Sequence, residues 1–131
     1  MGLLGHALAR AAGADSFQTL AGGGGLNSNV TDLMTYLDAN IGEPTSPLEQ
    51  AMRDAHRSYY SPRPGMELGL GWMGMQRGSL NVVGNRGGTA GHASFVAFDP
   101  GTRAGVVVLA NSGSFEYADK IGRDLLNPDR R

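Results

Sequence analysis

The stretch Gly84 to Ser112, GNRGGTAGHASFVAFDPGTRAGVVVLANS, reads as two paired strands entered through a glycine-rich corner, the kind of corner that shapes a reaction site. The usual reactive groups around it are sparse. Ser94 and Ser112 have no paired base within sequence reach, and neither sits in a Gly-x-Ser-x-Gly elbow. His92 stands beside the corner, but a lone histidine without a partner is more often a packing or surface residue than an acid-base catalyst. His6 and His56 lack carboxylates at metal-ligand spacing, and the chain has no cysteine, so no metal site is expected. The run AGGGG has the composition of a phosphate loop without its Gly-Lys-Ser/Thr ending, and reads as a turn. No cofactor is expected.

These residues need elements to hold them. Leu3, Leu4, Ala7, Leu8 and Ala11 share one helical face that Gly13 can close, which predicts a first helix. Ser28 and Asn29 follow the glycines as N-caps for a second helix, whose stripe Val30, Leu33, Met34, Leu37 and Ile41 is predicted buried. Ser46, Pro47 and Glu49 form a capping box for a third helix, burying Leu48, Met52 and Ala55. SYYSPRPG reads as a loop. Strands are predicted over Leu68 to Gln76, Leu80 to Asn85, Ala93 to Asp99 and Ala104 to Ala110, with turns at Arg77 to Ser79 and Pro100 to Arg103. Phe95 and Ala97 should face one side of the sheet and Ser94, Val96 and Phe98 the other. The apolar run AGVVVLA should be buried on both sides, away from an exposed edge. Met66, Met73 and Met75 read as gap-filling core. A last helix from about Glu116 to Leu126 should lay Phe115, Tyr117, Ile121 and Leu125 on the sheet. The fold class is α+β, an antiparallel sheet of three to four strands with flanking helices.

Composition excludes several functions. With 131 residues and a net charge of -1, the chain fits one domain and offers no basic stripe for nucleic acid. No apolar run approaches the ~20 residues of a membrane span, so no membrane partner is expected. MGLLGHALARAAG lacks the basic region and cleavage site of a signal peptide, which makes the cytoplasm the default expectation.

The order of parts is informative. GLNSNVTDLMTYL resembles the Gly-Leu-x-Ser-x-x-x-Asp-Leu helix start of the serine β-lactamase-like family, which includes class C β-lactamases, penicillin-binding proteins and related esterases. LGLGW, NRGGTAGHASFVAFDPGTRAGVVVLANS and a terminal helix are similar to its closing section, in order. GLLGHALARAAG is similar to the helix that follows the family's Tyr-x-Asn motif. The resemblance implies a partial β-lactamase-like fold, with 1-20 as a detached helix segment and 21-131 as the C-terminal section of one incomplete domain. It implies acyl transfer on β-lactam, peptide or ester substrates. On the family's Lys-Thr-Gly or His-x-Gly motif, Asn85 takes the Lys or His position, Arg86 the variable one and Gly87 the glycine that lets the strand edge approach the acyl group. The N–H of Gly88 takes the place of one oxyanion donor, Thr89 lies beside it in the substrate edge, and Asn111 falls near the position that meets the substrate carboxylate.

The chain also departs from the family. Its single lysine, Lys120, follows Tyr117 by three residues, so it contains no Ser-x-x-Lys. No tyrosine is followed two residues later by asparagine, and the several dozen residues that join Leu20 to Ala21 in the family are missing here. The resemblance therefore implies the C-terminal part of a hydrolase, inactive alone, or a non-catalytic binding module. Apolar surface left bare by the missing parts should drive self-association.

Overall fold

Asn29 and Ser46 start helices for the capping reason read from the sequence. In the computed structural model, which describes residues 26–127 except Ser79 and Ala90, α1 spans Val30–Ile41 and α2 spans Pro47–Ala55. The expected helix over Leu3 to Ala11 lies outside the described residues. Asn29 Oδ1 accepts from the N–H of Asp32 at 3.0 Å, and Gly42 closes α1 by donating to the carbonyl of Asp38 at 2.9 Å. Ser46 Oγ accepts from the N–H of Glu49 at 3.2 Å. The return arm of the box is displaced by one residue, because Glu49 accepts from the N–H and hydroxyl of Thr45 at 2.6 and 2.8 Å. Those bonds hold the Glu49 carboxyl below the usual range.

A six-stranded antiparallel meander follows, with its strands side by side in chain order. Its strands are β1 Tyr60–Arg63, β2 Met66–Leu68, β3 Met73–Arg77, β4 Leu80–Thr89, β5 His92–Asp99 and β6 Ala104–Ala110, and helix α3 Phe115–Leu126 ends the described fold. The expectation of three to four strands is corrected in three places. SYYSPRPG contains β1, an exposed edge that tolerates Pro62. The strand expected over Leu68 to Gln76 is broken into β2 and β3, because Gly71 at φ 80° turns the chain between them. Finally, β4 runs through the glycines to Thr89 and does not stop at Asn85.

Two cores flank the sheet, and the period of two assigns residues to each as expected. Leu80, Val82, Ala93, Phe95, Ala97 and Val106 meet Ala118 and Leu126 of α3. On the other face Trp72, Phe98 and Leu37 of α1 form the second core with Val96 and Val107 against them. His56, at the end of α2, is set edge-on to Trp72 at 4.8 Å and tilted on Phe98 at 5.1 Å. Asn40 donates through Nδ2 to the carbonyl of Tyr36 at 2.7 Å, which leaves its Oδ1 as the acceptor 2.8 Å from His56 Nε2. His56 therefore carries its proton on Nε2 and ties α2 to α1.

Several helical faces differ from the reading of spacing alone. Val30 and Met34 are exposed, so only the later part of the α1 stripe is buried, and Leu48 of α2 is 71% exposed. On α3 the buried residues are Ala118, Gly122 and Leu126, whereas Phe115, Tyr117, Ile121 and Leu125 are exposed. The cause is close approach. A Cβ on Gly122 would collide with the Phe95 ring, so the helix docks through its small residues and turns its larger ones away. β6 is also corrected. It is the last strand of the sheet among the described residues, and only Val106 is buried, with its neighbours half-buried or exposed.

Two stability measurements check this packing. Replacing glycine by alanine inside a helix ordinarily stabilises by up to ~1 kcal/mol. Gly122→Ala is expected to do the reverse and cost about 1–3 kcal/mol in urea denaturation, because the added methyl overpacks Phe95; a raised midpoint would contradict the docking. Burial, and then the Arg53 charge, lower the pKa of His56 below its ordinary value. The unfolded chain therefore takes this proton first. Stability should be fully present above about pH 6.5 and decline as pH falls through the folded value, with His56→Phe flattening that decline.

Candidate functional site

The site follows from a mismatch in strand length. β3 pairs with β4 only as far as Met73 opposite Gly84, and β4 then continues through Asn85, Arg86, Gly87, Gly88 and Thr89. Those five residues remain paired with β5, from Asn85 opposite Val96 to Thr89 opposite His92. Their other side has no strand among the described residues.

Asn85 closes the ladder where β3 ends. Its Nδ2 donates to the carbonyl of Gly71 at 2.7 Å, and its Oδ1 accepts from the N–H of Arg86 at 2.7 Å. Gly71 belongs to the connection leading into β3, so the Arg86 N–H faces that side. Hydrogen-bonding direction alternates along an antiparallel strand, so the N–H of Gly88 faces the same open side. The hairpin pairs agree. Arg77 opposite Leu80 and Thr89 opposite His92 are pairs separated by two residues of chain, which sends the even-numbered N–H groups of β4 toward β3 and the odd-numbered ones toward β5.

Side chains divide between the two faces. Arg86 lies on the α3 face, with its guanidinium 3.3 Å from Asp119 Oδ2 and 5.1 Å from the Phe115 ring centroid. Asp119 also accepts from Arg123 at 2.8 Å, so Arg86 is one member of a shared ion-pair cluster. Asn85, Gly87 and Thr89 occupy the opposite face, where this length of strand carries no charge. Arg86 is thus separated from the residues with which the sequence grouped it. Asp119, Phe115 and Gly71 were missed as its partners and as the partner of Asn85; the only signal was the i,i+4 spacing of Asp119 and Arg123 on a helix.

The adjacent glycines are required for different reasons. At Gly84 a Cβ would stand 2.5 Å from the Cβ of Ala97, so the sheet itself excludes a side chain. At Gly88 it would stand 3.3 Å from Phe115, a tight contact with α3. At Gly87 the nearest atom would be Ser94 Oγ at 3.4 Å, an ordinary van der Waals distance. Packing among the described residues does not demand glycine there.

Asn111 follows the end of β6 and is exposed. Ala110 pairs with Ala93, which pairs with Gly88, so Asn111 stands at the same end of the sheet, about 10 Å away across two strand spacings. Lys120 is paired with Asp124 at 2.6 Å on the outer side of α3. Among the described residues no three His, Asp or Glu side chains stand together as a metal ion needs, and no helix is long and apolar enough to cross a membrane.

With this geometry established, the chain can be compared with known proteins. The family model described as Beta-lactamase matches residues 2–127. No curated protein matches the chain in sequence.

The contrast between glycines can be measured directly. Gly84→Ala should lose about 1–3 kcal/mol of stability by overpacking Ala97. Gly87→Ala should stay within about 0.5 kcal/mol of the parent, as a substitution free of steric conflict does. Equal losses at both positions would show that Gly87 serves internal packing.

Proposed function

The chain belongs to the beta-lactamase family, and from that premise we propose that Asn85–Thr89 is the strand edge along which an acyl compound lies in an acyl-transfer site of the serine-hydrolase type. The observation that carries this reading is the side of β4 left open among the described residues, together with a Gly87 that no contact among them requires. An acyl group pairing with the edge would occupy the space a side chain at Gly87 would fill. Its substrates are β-lactams, peptides or esters, the compounds the sequence resemblance implies.

Each residue has a distinct role in this proposal. When a hydroxyl attacks the substrate carbonyl, negative charge develops on the carbonyl oxygen. The N–H of Gly88 donates to it as one of two oxyanion donors, a contact whose removal in comparable sites costs ~2.7–4 kcal/mol. Arg86 is a positioning residue, holding the strand against Asp119 and Phe115. Gly87, Asn85 and Thr89 line the substrate side, and Asn111 offers a polar group at the end of the sheet.

The nucleophile is not in this sequence, which has one lysine and no serine three residues before it. One observation also favours a second reading, a binding module that keeps the edge without the reaction. Asn85 is neutral, and its amide is engaged by Gly71 and Arg86, so it supplies neither the charge of lysine nor the titratable ring of histidine.

Three probes separate these readings: a chromogenic β-lactam, a nitrophenyl ester and a fluorophosphonate. The chain alone should neither turn over the first two nor be labelled by the third. A second polypeptide carrying the Ser-x-x-Lys part of a family member should become acylated when this chain is added. Gly88→Pro, which deletes the N–H, and Gly87→Val, which blocks the edge, should each slow that acylation at least about 100-fold with the circular dichroism unchanged. Acylation at the parent rate in both variants would refute the oxyanion assignment, and acylation independent of the chain would favour the binding module.

A further inference from the structure

A cavity of about 420 Å³ lies on the α1 face, at the end of the sheet away from the candidate site. Its wall includes Val83, which is about 17 Å from Gly88 along β4. That volume falls within the roughly 300–1,000 Å³ of small-molecule pockets. Residues at the ends of α1 and α2, on β4 and β5 and in the β5–β6 turn bound it, so the cavity is made by what surrounds it. Its apolar lining is Ile41, Val83 and Phe98, with Pro100 beside them. Its charged lining is Arg53, Arg57 and Arg103, with Glu43 as the carboxylate.

The charges around the cavity do not balance. Arg53 faces Glu43 at 3.6 Å, and Arg57 faces Asp54 at 3.1 Å. His56 adds no charge near neutrality, because burial and the Arg53 charge lower its pKa. Asp99 lies on the α3 face by the alternation along β5, and its Oδ1 accepts from the Gly101 N–H at 2.8 Å. The Arg103 guanidinium has neither an ion pair nor a hydrogen bond among the described residues. Its backbone is unusual as well. Glycines apart, Arg103 alone among the described residues takes a positive φ, 58°. That conformation costs stability for a residue with a Cβ and comes at no such cost to glycine, so the turn by itself would be better served by glycine.

We propose that this cavity binds a small organic monoanion, whose carboxylate pairs with Arg103 and whose apolar body lies against Ile41, Val83 and Phe98. One guanidinium without a partner matches one carboxylate in charge and in its forked donors. Inorganic phosphate would leave the apolar lining uncovered, and a neutral compound would leave the guanidinium alone. The site is independent of the acyl-transfer reading, since it shares no residue with Asn85–Thr89.

The test is an NMR titration of the full chain with phenylacetate, its neutral amide phenylacetamide and inorganic phosphate. Phenylacetate should shift the backbone amides of Arg57 and Arg103 and saturate with a dissociation constant of about 1 mM or tighter, while the other two bind at least about tenfold more weakly. Arg103→Gly should weaken phenylacetate at least about tenfold, yet leave the thermal midpoint unchanged or raised, because glycine accepts the positive φ. That combination excludes unfolding as the cause of the loss. Absence of saturable binding overturns the proposal, as does an amide that binds as tightly as the acid. Undiminished affinity in Arg103→Gly, or shifts confined to Asn85–Thr89, also overturns it.

Discussion

β4 is longer than the strand beside it, and the candidate site depends on that difference. β3 holds it from Leu80 to Gly84 and β5 from Val83 to Thr89, so Asn85–Thr89 are paired on one side alone. Two side chains brace that one-sided stretch. Asn85 does so at the junction by bonding Gly71 and the Arg86 N–H, and Arg86 does so from the α3 face through Asp119 and Phe115. The open edge is thus a supported feature, with fixed backbone groups facing outward, and fixed donors are the kind that stabilise developing charge without reorganisation.

The same economy of small residues recurs in the packing. Gly84 lets β4 lie close on Ala97, and Gly122 lets α3 lie close on Phe95. Close docking of α3 brings Asp119 and Phe115 within reach of Arg86, so the helix that covers the core also braces the edge. It also turns Tyr117, Ile121 and Leu125 outward. The aromatic cluster of Trp72, Phe98 and His56 holds the other face, with Asn40 fixing the histidine tautomer.

Much of this was legible in the sequence where local chemistry decides. The caps at Asn29 and Ser46, the alternation of Phe95 and Ala97 against Val96 and Phe98, and the Gly84–Gly88 corner all follow from residue type and period. Tertiary contacts decided the rest. Apolar spacing on α3 pointed to Phe115, Tyr117, Ile121 and Leu125, but contact distance selected the small-residue face, which spacing does not weigh. β1 was hidden by Pro62 and the break between β2 and β3 by an apolar run. The roles of Asp119 and Gly71 depend on strand register, and no single-sequence signal carries it.

Amide hydrogen exchange along β4, read by NMR, tests the central claim most directly. If Asn85–Thr89 is an open edge with alternate groups facing out, the Gly88 N–H exchanges fast while those of Gly87 and Thr89, directed at β5, are protected, as is the Gly84 N–H within the β3 ladder. Protection of Gly88 equal to that of Gly84 would mean that this side of β4 is already occupied, and would contradict the account.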